Sequence, residues 1–343
     1  MKIFIENSFL FEKSTGMGKY TKTLMKALSL LNLKYELKSL NLPLSTRYKY
    51  IWQTLWLNTV FYIQILLQKP DILISPAYIM PYFIRKKTKY ITVIHDICYY
   101  NDPDALKYTI GIFDLSTKIA IKNADVIVTV SETVKKELIE KFNLDSNRIK
   151  VIYNSLDEHF LINKNNIEIL EKYKIIPNKY ILSVATLHKR KNIPELIKAF
   201  EQISINYPDL KLVLVGKMGN EQKEKLTQHK NIIFTDYVPD EDIPTLYKNA
   251  LLFVFPTLNE GFGIPLIEAQ YCECPVLCSD IPVFREIAGN SAEFSSTKST
   301  GMGEKIEYLI NDPKRREELI KLGKKNVQRF SIGNITKQLK DIL

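Results

Sequence analysis

The stretch Leu258–Ala269 reads LNEGFGIPLIEA and carries two glutamates, Glu260 and Glu268, with seven residues between them. An apolar run, Leu251–Phe255 (LLFVF), and a Pro-Thr pair precede it. Together these predict a buried strand, a Gly-rich turn and then a helix. Glycine lets the backbone approach a ligand closely, and the start of a helix offers unpaired N–H groups and a positive dipole end to an anion. Glu260 is expected in the turn. Glu268 is expected about two turns into the helix and roughly on the same face, at about 3.6 residues per turn. Two carboxylates above an anion cradle suit a ligand with both hydroxyls and phosphates, and a nucleotide sugar is such a ligand.

Two glutamates alone are no signature, because Glu is common on solvated helix faces. The longer phrase Phe255–Ile287, FPTLNEGFGIPLIEAQYCECPVLCSDIPVFREI, is more specific. It resembles the E-x7-E signature of retaining glycosyltransferases of the GT-B fold, in particular glycosyltransferase family 4. The resemblance implies that Glu260 hydrogen-bonds donor-sugar hydroxyls and Glu268 the ribose hydroxyls. It implies that N–H groups at Gly261, Phe262, Gly263 and Ile264 meet the diphosphate. The acceptor then attacks from the face of the leaving group, whose phosphate takes the proton, with no protein nucleophile and no metal.

Upstream, Tyr180–Thr186 (YILSVAT) reads as a strand followed by LHKRKNIPELIKAF, Leu187–Phe200. Arg190 and Lys191 stand just before a helix with apolar positions Ile193, Leu196, Ile197 and Phe200. Cations at a helix N-terminus oppose its dipole unless an anion neutralises them. On charge alone a solvated basic turn fits equally well. The likeness to the family's R-K-N segment implies a diphosphate there. Family members that place a further Arg after the strand differ from this chain, which has Ala185-Thr186. Strands at Leu210–Gly216 and Asn231–Asp236 follow, and the resemblance sets the nucleotide base against the backbone at Val238. A charged helix is expected over Asp312–Arg329, with a break at Phe330-Ser331 and a last helix over Ile332–Leu343.

The first half alternates in the same way. Lys2–Glu6 is a strand, and Gly16 and Gly18 in STGMGKYTKTLMKAL open a helix that resembles the family's G-x-G-R-Y segment, with Lys19 in place of its Arg. Tyr90–Ile94 is a strand ending in His95-Asp96. A histidine there stands at the crevice where α/β sheets bind ligands, although a lone His is more often a satisfied core or turn residue. The phrase VIHDICYYNDPD resembles the family's HD segment, which implies that His95 contacts the donor sugar or its phosphate. Asp102-Pro103-Asp104 has D-x-D spacing but reads as a turn, so no metal is expected. A strand at Ala124–Val130 leads into a helix at Thr133–Lys141, and Arg148–Leu156 is the last strand of this half; Asn154-Ser155 stands where the family has Asn-Gly.

The repeated alternation predicts an α/β protein of two Rossmann-like doubly wound domains, facing across a cleft in the GT-B arrangement. Residues 1–165 are expected to bind acceptor and 166–330 the nucleotide sugar. Residues 331–343 are expected to cross back to the first domain. Length agrees: 343 residues exceed one ordinary domain.

Composition is globular, with 45% hydrophobic and 25% charged residues. The net charge of +10 fits attraction to anions, either nucleotide diphosphates or an anionic membrane surface, and equally a Lys-rich surface with no special partner. No nucleic-acid recognition motif stands out. Cys98, Cys272, Cys274 and Cys278 lack zinc spacing and read as small core residues in a reducing cytoplasm. The start MKIFIENS lacks a signal-peptide apolar region. Arg47–Leu67 is aromatic and amphipathic. Its apolar part, Ile51–Leu67, is broken by Gln53, Asn58 and Gln64 and falls short of the ~20 apolar residues that span a bilayer, and the stretch reads as a core helix with an end open to a membrane.

The expected activity is therefore retaining sugar transfer from a nucleotide sugar, GDP-mannose ahead of UDP- and dTDP-sugars. The expected acceptor is a glycan, free or on a polyprenyl diphosphate, met in the cytoplasm or on the inner face of the plasma membrane. A GT-B phosphorylase or epimerase, or an inactive nucleotide-sugar-binding partner subunit, are the alternatives.

Overall fold

The computed structural model describes residues 1–7, 16–40, 52–101, 107–157, 160, 167–185, 188–216, 226 and 229–343. The Asp102-Pro103-Asp104 turn, Arg47–Ile51 and Thr186-Leu187 lie outside the described residues, as does most of 158–166. The chain divides into two units, Met1–Ser155 with Ile332–Leu343, and Leu156–Ser331.

In the first unit six strands form one parallel sheet: β1 Ile3–Glu6, β2 Tyr35–Lys38, β3 Ile72–Ser75, β4 Lys89–Ile94, β5 Val126–Thr129 and β6 Ile149–Val151. Their order is β2-β1-β3-β4-β5-β6. β1 (IFIE) and β3 (ILIS) are buried throughout, as continuous apolar runs in a sheet covered on both faces must be. The order reverses between β1 and β3, so a crevice opens at their C-terminal ends. Helix Gly16–Leu30 returns over the sheet with Tyr20, Leu24, Ala27 and Leu28 buried. Helix Ile332–Lys340 packs on it and buries Ile335 and Leu339, which makes the C-terminus part of this unit.

Several expected elements changed in extent. β2 carries no apolar run and is half-exposed at the sheet edge, so hydrophobic patterning does not reveal it. β6 is shorter than Arg148–Leu156, because Ser146–Arg148 forms a 3-10 turn and β5, its neighbour in the sheet among the described residues, ends at Thr129. The helix after β5 runs Glu132–Phe142 and is capped by Ser131, whose hydroxyl accepts from Val134 N–H. The aromatic stretch forms a helical turn at 52–56, a π-helical turn Leu57–Phe61 and a helix Tyr62–Gln68. Trp56, Leu57, Phe61 and Ile65 face the core, with Trp56 stacked on Phe61 at 4.8 Å.

The second unit has β7 Tyr180–Val184, β8 Lys211–Val215, β9 Ile232–Asp236, β10 Leu252–Phe255, β11 Val276–Ser279 and β12 Glu293–Ser295. The parallel order is β12-β11-β10-β7-β8-β9. From β9 this is the doubly wound order in which the chain runs outward, returns, and continues from the other side of its first strand. The reversal falls between β7 and β10. Helices Ile193–Ile203 and Ser299–Asn311 cover one face, their Leu196, Phe200, Met302 and Ile306 closing the core over Leu212 and Leu214. The expected single helix over Asp312–Arg329 is a helix Pro313–Asn326 capped by the Asp312 carboxylate, followed by a 3-10 turn. All four cysteines are free and buried. No helix among the described residues is long and apolar enough to cross a membrane.

Candidate functional site

The β7/β10 reversal sets two loops side by side. After β7 the chain makes a 3-10 turn, Lys189–Lys191, and enters the next helix through Asn192 at φ 57°. After β10 it runs through Thr257–Gly263 into helix Ile264–Tyr271. The Arg190 carbonyl accepts from Leu258 N–H at 2.7 Å and from the Thr257 hydroxyl at 2.9 Å, so the loops are stitched together. That stitch delivers Lys191 and Arg190 to Glu260.

Lys191 Nζ pairs with Glu260 Oε1, and Arg190 Nη1 reaches the same oxygen at 3.1 Å while donating to the Asn259 carbonyl. The Lys191 ammonium also lies 5.2 Å from the centre of the Phe255 ring, a cation–π contact. Both Lys191 and Glu260 are largely withdrawn from water. Burial pushes the Glu260 carboxyl up, but Lys191 and then Arg190 outweigh it and hold its pKa below the ordinary value. The cations therefore have a carboxylate of the chain itself as partner, where an external anion was expected. Sequence spacing does not show this, because the partners are 69 positions apart.

Glu268 is placed differently from the expectation. The Gly261–Gly263 run is not helical, so Glu268 is the fifth residue of its helix, little more than one turn in. It is 3% exposed, and the Tyr247 hydroxyl donates to its Oε2 at 3.3 Å. Burial, then the Glu268 charge, push the Tyr247 hydroxyl pKa well up, so it remains a neutral donor. Gly263 caps the helix at φ 96°, where a Cβ would stand 2.6 Å from Phe284 Cε1. Only glycine fits both the conformation and the space. The Phe262 side chain turns away from the loop and packs edge-on against Phe330 at 5.4 Å. Ile264 begins the helix. Val238 is buried just after β9, two strands from β7, and meets none of the charged cluster in the contacts above.

In the first unit His95 follows β4. Its Nε2 lies 2.7 Å from the Pro76 carbonyl after β3, which places the ring proton on Nε2 and leaves Nδ1 as an acceptor. Burial lowers its pKa against the Pro76 hydrogen bond and the Asp96 charge, favouring the neutral ring. Tyr20, from the helix opened by Gly16 and Gly18, meets the imidazole edge-on at 5.1 Å and anchors its hydroxyl on the Ile152 carbonyl. The structure thus joins His95 to the Gly16–Gly18 helix, and Arg190 and Lys191 to Glu260, as two separate groups in two units. Tyr20, Tyr247, Phe255 and Thr257 support these groups and were assigned no role from the sequence, although Phe255 and Thr257 lie within the quoted phrase.

Comparison with known proteins agrees with this layout. The family model "Glycosyltransferase Family 4" matches residues 16–160 and "Glycosyl transferases group 1" matches residues 165–326. The chain is 28% identical over 278 residues to the O-antigen chain mannosyltransferase B of Escherichia coli, covering 77% of this chain and 71% of that one. It is 30% identical to the serotype-specific mannosyltransferase WbdA of Escherichia coli over 59% of this chain, and spans only 26% of that longer relative. The sucrose-phosphate synthase of Thermosynechococcus elongatus has the same fold, with TM-score 0.83 and 16% identity over 99% of this chain and 98% of that one. Between them the two family models take in nearly the whole described fold, and the chain belongs to glycosyltransferase family 4 of the GT-B fold.

Proposed function

We propose that the chain transfers a sugar, with retention of anomeric configuration, from a nucleotide sugar to a glycan or lipid-linked glycan acceptor in surface-polysaccharide synthesis. The observation that carries this reading is the Arg190–Lys191–Glu260 ion cluster at the β7/β10 reversal, beside the N-terminus of the Glu268 helix. One carboxylate serves two cations there, and a diphosphate is the anion that such a pair accepts by replacing or sharing Glu260. Glu260, relieved of part of its pairing, then accepts hydrogen bonds from sugar hydroxyls. Glu268, steadied by Tyr247, accepts from the ribose hydroxyls. As the bond from the anomeric carbon to the diphosphate breaks, Lys191 and Arg190 stabilise the charge gathering on the leaving group. The acceptor hydroxyl bonds to that carbon on the same face and passes its proton to the departing phosphate. His95, whose Nδ1 is an acceptor, is assigned to the donor sugar or its phosphate, with Gly16 and Gly18 lending backbone N–H groups. Val238 is assigned to the base. No metal enters these steps.

GDP-mannose is the favoured donor, because the relatives at about 30% identity are named mannosyltransferases. A panel of GDP-, UDP- and dTDP-sugars tests this by thermal shift, since a ligand at 100 times its Kd stabilises the fold by about 2.7 kcal/mol. GDP-mannose is expected to raise Tm most and to release GDP slowly in water. Stabilisation by no nucleotide sugar, with no nucleotide released, sinks the reading.

A further inference from the structure

The second unit has a cavity apart from the loops that carry Lys191 and Glu260. β12 is the last strand of its sheet, and Glu293 is its first residue, so Glu293 stands at the strand end opposite the β7/β10 loops. Helix Pro282–Ala288 with its Gly289-Asn290 turn, helix Ser299–Asn311 and helix Pro313–Asn326 enclose about 440 Å³ beside it. Small-molecule sites occupy about 300–1,000 Å³.

The walls are charged, and each charge is matched within them. Glu293 Oε1 accepts from Lys305 Nζ at 2.8 Å, and Oε2 accepts from Arg315 Nη2 at 3.1 Å. Arg315 Nη1 donates to Glu318 at 2.7 Å. Arg285 grips Asp280 through two bonds of 2.7 Å, and its guanidinium carbon lies 3.8 Å from the centre of the Phe294 ring. Burial pushes the Glu293 carboxyl up, but its hydrogen bonds with Lys305 and Arg315 outweigh that and hold its pKa below the ordinary value. Polar side chains that hold one another in this way are fixed before a ligand arrives.

That balance decides which ligand fits. An anion has to displace Glu293 or Glu318, and a cation has to displace Lys305 or Arg315. Either leaves a charge without its partner. A neutral hydroxyl displaces nothing. An ammonium has about three donors and a guanidinium about five, and Lys305 spends one on Glu293 while Arg285 spends two on Asp280. The exposed Asn290 amide adds a donor and an acceptor. Leu322 and Phe294 add apolar surface. Fixed donors and acceptors beside apolar patches match the vicinal hydroxyls and C–H faces of a sugar. An added β-strand fits less well, because β12 has three residues and begins on a charge, features that keep a sheet edge unpaired.

We infer that this cavity is a second carbohydrate site, which holds a short run of a neutral glycan away from the transfer loops. The inference rests on the sugar-transfer reading only for the choice of glycan, and its test uses no nucleotide sugar. The full chain, isotope-labelled on nitrogen, is titrated with mannotriose and maltotriose and, as charged controls, with orthophosphate and spermidine. At least one trisaccharide is expected to shift the Gly289, Asn290 and Phe294 amide signals saturably, with a Kd of ~1 mM or below. Lys305→Met is expected to weaken that binding ~10-fold and Asn290→Ala ~5-fold, the loss of a charged and of a neutral hydrogen bond. Asn290→Ala alters an exposed turn and keeps the test available should Lys305→Met fail to fold. The inference is overturned by no saturable shift with either trisaccharide, by undiminished binding in the folded variants, or by saturation with orthophosphate or spermidine. Shifts confined to the Gly261 and Gly263 amides also overturn it and leave the transfer reading standing. Failure of every nucleotide sugar to bind removes that reading and leaves these signals as they are.

Discussion

His95 and Lys191 stand in corresponding places, each past the C-terminal end of a strand near the reversal of a parallel sheet, and their partners differ. His95 has a backbone carbonyl and a tyrosine ring for neighbours, and desolvation drives it toward the neutral form. Lys191 has the Glu260 carboxylate, whose pKa stays below its ordinary value in spite of burial because Lys191 and Arg190 face it. Topology places a titratable group at the crevice; the partner supplied by the next loop decides whether it stays ionised.

The strongest way to break the comparison is Lys191→Ala, which is expected to lower kcat by ~10²–10³-fold if the ammonium meets developing charge. A wild-type rate removes Lys191 from the chemistry. Glu260→Gln leaves two cations without their carboxylate and is expected to cost about 3 kcal/mol in denaturant unfolding at neutral pH, as for other broken buried pairs. Because the folded pKa of Glu260 lies below its unfolded value, that contribution is present above about pH 4.5 and lost as pH falls through the folded pKa. The gap between wild type and variant should therefore shrink in acid; a constant gap denies the ion pair its role.

Smaller effects sharpen the picture. Glu268→Ala is expected to raise the donor KM by ~10-fold with kcat little changed, and Tyr247→Phe by ~3-fold, the loss of one hydrogen bond that orients a carboxylate. If Glu268 holds the ribose, Tyr247→Phe also narrows the preference for ribose over deoxyribose donors, which a purely structural tyrosine would not affect. An NMR titration of His95 should give a pKa below about 6.5. The unfolded chain then binds the extra proton first, so His95 costs stability as pH falls below that value, and His95→Gln should relieve the loss. A His95 pKa above 6.5 erases the contrast with Glu260, the group that keeps its charge in spite of burial. Least of all, EDTA should leave turnover unchanged; inactivation by chelator would move charge stabilisation from Lys191 and Arg190 to a metal.

Much of this was legible in the chain. Buried parallel strands are near-continuous apolar runs, so IFIE, ILIS, YILSV and LFVF announce themselves whatever surrounds them. The Gly-Phe-Gly run before an apolar helix marks the loop, and Gly263 proves to need glycine for both its φ and the Phe284 ring beside it. β2 was not legible, because an edge strand of alternating polarity is held by its ladder to β1 and buries little of its own.

What the sequence determined by itself is the alternation of elements and the identity of the groups carried on the loops, since both follow from local patterning and backbone restriction. What only the tertiary structure decided is pairing. Which carboxylate neutralises Lys191, which hydroxyl steadies Glu268, and which helices bring Lys305 and Arg315 to Glu293 all depend on contacts between residues far apart in the chain. Such contacts exist only once strand order has been chosen, and strand order is set by burial summed over the whole sheet rather than by any one segment.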